Sequence, residues 1–241
     1  MLIHALLVIY FFVSEAQCGK GSTQLMENSI VRDGWNFFAR RLQFVMLKRT
    51  YNVTGGLNDS MCIMVPFAPK IDRKQHSLNA TFTYRNLSST YKLHPDNTAD
   101  NTSYWPIAIF QLHFYARKLK GGASLRKTGL DFVNPTAVMR EYGYALSPPF
   151  WRIMYCNSRC AVVDVRQLTF TTTFAGQKPT PRKRQCELWI SVSVGEAKQE
   201  NYNERKQIIC EEFFKRWCDT TNLQDIYNPE MCARQIQISG S

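Results

Sequence analysis

Histidine is scarce in this chain. Four occur in 241 residues, and His4 lies in an N-terminal stretch read below as removable, which leaves His76, His94 and His113. No GxSxG elbow, HExxH pair or Gly-rich phosphate loop accompanies them, so an activated serine, a catalytic zinc and a nucleotide cradle all lack their residues. An enzyme is therefore not expected, and neither is a cofactor. Beyond Val13 no run is apolar and charge-free for long enough to make a membrane helix. Linkers, internal repeats and low-complexity segments are missing too, which points to one domain. Acids are outnumbered, 19 against 30 Lys and Arg, yet no stripe of basic and aromatic residues forms a stacking platform for nucleic acid.

What is present fixes a compartment. Leu2 to Val13 is apolar, about 12 residues and too short to span a bilayer, and Ser14-Glu15-Ala16 follows with small residues at the two cleavage-defining positions. Residues 1–16 thus read as a signal peptide and 17–241 as the mature domain. Cutting after Ala16 keeps all eight cysteines, whereas a cut after Cys18 leaves an odd seven, and parity favours the earlier site. Asn-x-Ser/Thr sequons begin at Asn52, Asn58, Asn79, Asn86 and Asn101, while Asn134 precedes proline and is excluded. Together these features describe a secreted, oxidised glycoprotein. In that setting the spacing of Cys156 and Cys160 indicates disulfides rather than a metal pair.

Charge adds one candidate contact. The formal net charge is +11, and +12 once Glu15 leaves with the leader. A solvated basic surface accounts for most of it. The densest stretch, Lys178, Arg182, Lys183 and Arg184, contains two prolines between strand-like runs and reads as an exposed hairpin loop able to meet an anionic surface.

The main structural signal is alternation. Leu78, Ala80, Phe82 and Tyr84 alternate with Asn79, Thr81, Thr83 and Arg85 over 77–85, the pattern of a half-buried strand. Similar runs cover 42–51, 61–68, 107–116, 161–174 and 185–194, separated by loop signals such as Gly55-Gly56, Asp96-Asn97, Gly121-Gly122 and Ser147-Pro148-Pro149. Over 204–218 the period becomes helical: Ile209, Phe213 and Trp217 form one stripe beside Cys210, Phe214 and Cys218. Glu211 with Lys215 and Glu212 with Arg216 are spaced as ion pairs on the wet side. The expected fold is all-β: an eight-stranded antiparallel up-and-down barrel of lipocalin type, closed so that no edge is exposed, with a short N-terminal helix and a C-terminal α-helix packed outside. A monomer is expected.

Several segments, in this order, resemble the tick salivary lipocalins that include the histamine-binding proteins. They are Trp35 after a short polar helix, Lys48-Arg49-Thr50-Tyr51 followed by Cys62, Cys160 opening a strand, Cys186-Glu187-Leu188-Trp189, Cys210 in the helix, and Tyr227-Asn228-Pro229-Glu230-Met231-Cys232. The resemblance implies disulfides from Cys62 to Cys232 and from Cys160 to Cys210. Cys186 to Cys218 follows as a further sheet-to-helix bridge, and Cys18 with Cys156 remains by elimination. If Cys160 and Cys186 bond to a helix outside the barrel, Ala161 and Glu187 must point inward. Glycans at Asn52 or Asn79 likewise turn Tyr51, Phe82 and Tyr84 inward. The expected lumen then holds Arg49, Tyr51, Phe82, Tyr84, Glu187, Trp189 and Ser191.

Amine-binding members of that family carry an acid directly after the cysteine matching Cys160, a Glu before Leu-Trp, and a first-strand tyrosine. Tyr51 and Glu187 match, but position 161 is alanine, and Asp164 faces outward. A missing charged hydrogen bond of about 1.5–3 kcal/mol weakens amine affinity by roughly 10 to 100 times without abolishing it. The resemblance thus implies a scavenger that sequesters a small host inflammatory mediator, a biogenic amine such as histamine or serotonin first. The alternative ligand is an eicosanoid or fatty acid, with Arg49 meeting its carboxylate unless Arg49 is engaged in an internal ion pair with Glu187. A third class is a protein-binding lipocalin acting on complement, coagulation or platelets, favoured if its own side chains fill the lumen.

Overall fold

The structure is a computed structural model, and it describes residues 33–40, 42–53, 56–87, 105–116, 129–165, 184–192 and 204–232. The leader, Cys18, Asn101, the loop 178–183 and the ends of two expected strand runs, 166–174 and 193–194, lie outside the described residues.

Eight antiparallel strands close on themselves. They are β1 (Gln43–Arg49), β2 (Met61–Val65), β4 (Ser77–Arg85), β5 (Ile107–Tyr115), β6 (Phe132–Arg140), β7 (Trp151–Cys156), β8 (Cys160–Val165) and β9 (Cys186–Val192). Each pairs with the next in chain order, and β9 returns to β1 from Gln43 opposite Val192 to Arg49 opposite Glu187. Closure removes the free edges that an open sheet would present. Two short strands extend the sheet: β3 (Lys70–Asp72) on β4, and β10 (Gln224–Asp225) on the end of β1.

Alternation sorts the side chains as the sequence requires. Phe44, Met46, Phe82, Phe110, Phe114, Ile153, Ala161 and Trp189 form the interior cluster. Their neighbours Val45, Cys160, Val162, Cys186, Leu188 and Ile190 form an outer one beneath α2 (Glu204–Trp217), which adds Cys210, Phe213 and Phe214. Phe213 stacks on Tyr155 with ring centroids 5.0 Å apart. Three disulfides pin the outer layer: Cys62–Cys232, Cys160–Cys210 and Cys186–Cys218. Cys156 is also disulfide-bonded.

The two ends of the barrel differ. One is plugged by α1 (Gly34–Phe38), started by Asp33, whose carboxylate accepts the Asn36 N–H at 3.3 Å. Trp35 meets Phe114 edge-on at 5.6 Å, Phe37 meets Phe44 at 5.2 Å, and Phe38 stacks on Trp151 at 5.2 Å. Trp35 thus lies within α1, and the expected helix before it falls outside the described residues. Gly34 is required here, because a Cβ would come within 2.5 Å of Ile153 Cγ1. The other end, where β1, β4, β6 and β8 finish, has no such plug among the described residues.

Three details depart from the sequence reading. Two strands, β6 and β7, went unrecognised. Pro135 argues against a strand in β6, whose last five residues are all exposed, and four of the six residues of β7 in a row are buried, so period two is lost. The helical ion pairs do not form: Glu211 accepts instead from Gln207 at 2.9 Å, and Arg216 lies over the Trp217 ring at 5.6 Å. Exposed pairs of this kind gain little, so an aromatic face competes successfully. Ser191 turns its hydroxyl to the carbonyls of Ser158 and Arg159 instead of to the lumen.

Candidate functional site

The open end holds a cavity of about 400 Å³, within the usual range for a small-molecule pocket. Its floor is aromatic: Phe82, Trp151 and Trp189 meet one another with centroids 5.4–6.2 Å apart. Met46 and Ile63 complete the floor, and Tyr51, Asp59, Ser60 and Asn86 stand on one side of the mouth. Residues 144–150 lie across the other side. Tyr84 anchors that lid, its hydroxyl donating to Gly143 O at 3.2 Å and accepting from Ala145 N at 3.0 Å.

One carboxylate dominates the interior. Glu187, the second residue of β9, is 4 % exposed. One of its oxygens accepts from the Tyr51 hydroxyl, and the other accepts from Trp189 Nε1 at 2.8 Å. Burial pushes its carboxyl above the ordinary value, opposed by these two bonds and by the charge of Arg49. The same pairing holds the Tyr51 phenol well above its usual range, through burial first and then the Glu187 charge. Glu187 thus accepts two hydrogen bonds, with the Trp151 indole N–H as a further donor near it, and a carboxylate has room for more.

The expected lumen residues divide. Tyr51, Phe82, Glu187 and Trp189 line the cavity. Tyr84 does not, because its hydroxyl is committed to the lid. Arg49 is placed opposite Glu187 in the strand register but does not line the cavity either: its Nε donates to Gln224 Oε1 at 2.6 Å, and its guanidinium lies over the Tyr51 ring at 5.8 Å. No ion pair joins it to Glu187, since the one salt bridge among the described residues is Lys48 to Asp225. Sequence reasoning missed Trp151, Tyr144 and Asp59. Asp59 was visible only as the middle of the Asn58-Asp59-Ser60 sequon, although it is the one acid on the loop that leads from Tyr51 to β2.

The sequons sit at the same end or on the wall. Asn52 and Asn58 are exposed, while Asn79 and Asn86 are half-buried.

Residues 24–105 match the family model described as tick histamine binding protein. That match takes in α1, β1 to β4, Tyr51 and Asp59, and stops before Glu187. No curated protein matches the sequence. Among solved structures, Japanin from Rhipicephalus appendiculatus, bound to cholesterol, aligns with a TM-score of 0.43 and 7 % identity over 79 % of this chain and 94 % of that one. So distant a likeness says nothing about the pocket.

Proposed function

We propose that this chain, a tick salivary lipocalin in which eight strands close a barrel, sequesters a small aromatic amine in its open-end cavity. One observation carries the reading: the charged residues of the cavity wall are Glu187 and Asp59, with no lysine, arginine or histidine among the described lining residues. An ammonium group brings three donors and a positive charge to Glu187, whose ionised form lacks a counter-ion within the cavity. Phe82, Trp151 and Trp189 supply flat apolar surface for a ring and π faces for a cation.

Among the described lining residues an anionic lipid meets no cation, the Arg49 guanidinium lying over the Tyr51 ring at 5.8 Å. A protein-binding role is favoured only for a barrel filled by its own side chains, and among the described residues the mouth half of the lumen is a cavity. Sequestration proceeds by stoichiometry, without turnover, and would lower the free concentration of a host mediator where the protein is secreted.

Calorimetry with histamine, serotonin, tyramine and a leukotriene tests this. Amine binding at one site per chain, weakened roughly 10-fold or more by Glu187→Gln, is the expected result. Binding of the leukotriene with no response to any amine overturns it.

A further inference from the structure

The amide of Asn52 has its orientation imposed by a chain of hydrogen bonds that begins at Arg49. A guanidinium only donates, so Gln224, which receives Arg49 Nε at 2.6 Å, must turn its carbonyl oxygen toward that donor. Its Nε2 is then free to donate to Asn52 Oδ1, at 2.6 Å. Asn52 therefore has its oxygen tied down and its Nδ2 left over, with no hydrogen bond to the described residues. The residue is exposed, and it lines the cavity at the mouth. Nδ2 is the atom to which an N-linked glycan attaches, and Asn52-Val53-Thr54 is a sequon.

We infer that Asn52 carries an N-linked glycan rooted on the rim of the cavity, and that this glycan slows the passage of ligand in both directions. The donor is a lipid-linked oligosaccharide diphosphate. Nδ2 bonds to the anomeric carbon and gives up one of its two protons, while the sugar–phosphate bond breaks and the lipid diphosphate leaves with the electron pair. Oδ1 is untouched, so the bond from Gln224 survives the modification. Gln224 is itself held in register opposite Arg49 on β1, so the first sugar starts from a braced side chain rather than a loose one. Tyr51, the preceding residue, donates to Glu187, which sets the root of the glycan beside the interior carboxylate. A glycan is bulky and hydrated, and from this root it obstructs the path into the cavity without touching a ligand seated on Trp151 and Trp189. Such an obstacle raises the barrier to entry and exit alike. Affinity stays the same while both rates fall. The kinetic half of the inference rests on the amine reading above; occupancy of Asn52 does not.

The test uses the chain secreted from a glycosylating host, with two variants. Thr54→Ala destroys the sequon but leaves Asn52 and its bond from Gln224, and Thr54→Ser keeps the sequon. Glycopeptide mass mapping should find Asn52 occupied in the wild type and in Thr54→Ser, and bare in Thr54→Ala. Stopped-flow indole fluorescence with tyramine should then show association and dissociation both faster in Thr54→Ala, by roughly threefold each, with Kd unchanged. Thr54→Ser should match the wild type. An unoccupied Asn52, rates in Thr54→Ala equal to those of the wild type, or a rate change confined to one direction overturns the inference while the amine reading stands. If tyramine does not bind the wild type, the amine reading fails and takes the inference with it.

Discussion

Glu187→Gln should make the protein more stable while weakening its binding. The carboxyl is buried and its folded value lies above the ordinary 4.5, so its ionised form opposes folding. Stability linked to this group is fully present below pH 4.5 and is lost as pH rises through the folded value. Glutamine carries no charge at any pH. Its amide can still accept from Trp189 and donate to the Tyr51 oxygen, so the hydrogen bonds survive in altered polarity. Neutralisation also withdraws a favourable field from Arg49, but that attraction ranks behind burial among the influences on Glu187. The variant should therefore melt higher than wild type at pH 7.5, by about 2–4 °C for each kcal/mol in a domain of this size, and the difference should shrink to nothing by pH 4. Amine affinity at pH 7.5 should fall roughly 10-fold or more, the worth of one charged hydrogen bond. Scanning calorimetry from pH 4 to 8, beside titration of the ligand, measures both. A variant that melts lower at pH 7.5, or a stability difference independent of pH, refutes the reasoning.

Tyr84→Phe removes the two hydrogen bonds of the Tyr84 hydroxyl to residues 143 and 145, and should raise the amine off-rate and speed exchange of the Ala145 amide; unchanged exchange there would show that the lid is held without them. Replacing Cys160 and Cys210 together by serine opens a bridge spanning 50 positions and should cost about 4 kcal/mol in urea unfolding, with a lower midpoint. Gly34→Ala drives a methyl into Ile153 and should cost about 1–3 kcal/mol, without altering amine affinity, since α1 plugs the far end. A loss of affinity in that variant would indicate that the plug and the cavity are coupled.

The fold was legible because closure and alternation leave a periodic trace. Leu78 to Tyr84 could be assigned to the interior by parity alone, and β4 appears with the expected bounds. What could not be read was depth. Parity says that Arg49, Tyr51 and Glu187 share a face, but not that Gln224 on β10 draws the Arg49 guanidinium aside while Tyr51 turns its hydroxyl to the acid. Nor does it tell that Tyr84, inward-facing, bonds to a lid. The lid itself was hidden because Ser147-Pro148-Pro149 signals a loop without saying where the loop lies. Asp59 and Trp151 were missed for related reasons: one sits in a loop with no period, the other begins a strand buried on both faces.

Depth also explains why the alanine at 161 is no defect for a cavity placed at the mouth. Ala161 is paired with Trp189, is fully buried in the interior cluster, and does not line the cavity. A carboxylate there would lie among aromatic side chains, outside the cavity lining, and would raise the cost of folding. The carboxylates among the described lining residues instead sit at two strand ends at the rim: Glu187 near the start of β9, and Asp59 just before β2. Because both belong to segments that meet β1, Thr50 is well placed to fix their relative position, its hydroxyl accepting from Cys186 N at 2.9 Å while its own N–H donates to Cys186 O at 3.0 Å. Thr50→Val keeps the shape and the backbone bond but removes the acceptor, so it should loosen the start of β9. Tyramine affinity should fall by roughly 3- to 10-fold, the worth of about 0.7–1.4 kcal/mol, with the closed barrel intact by circular dichroism. An affinity equal to wild type would mean that the disulfide from Cys186 to Cys218 alone holds Glu187 in place.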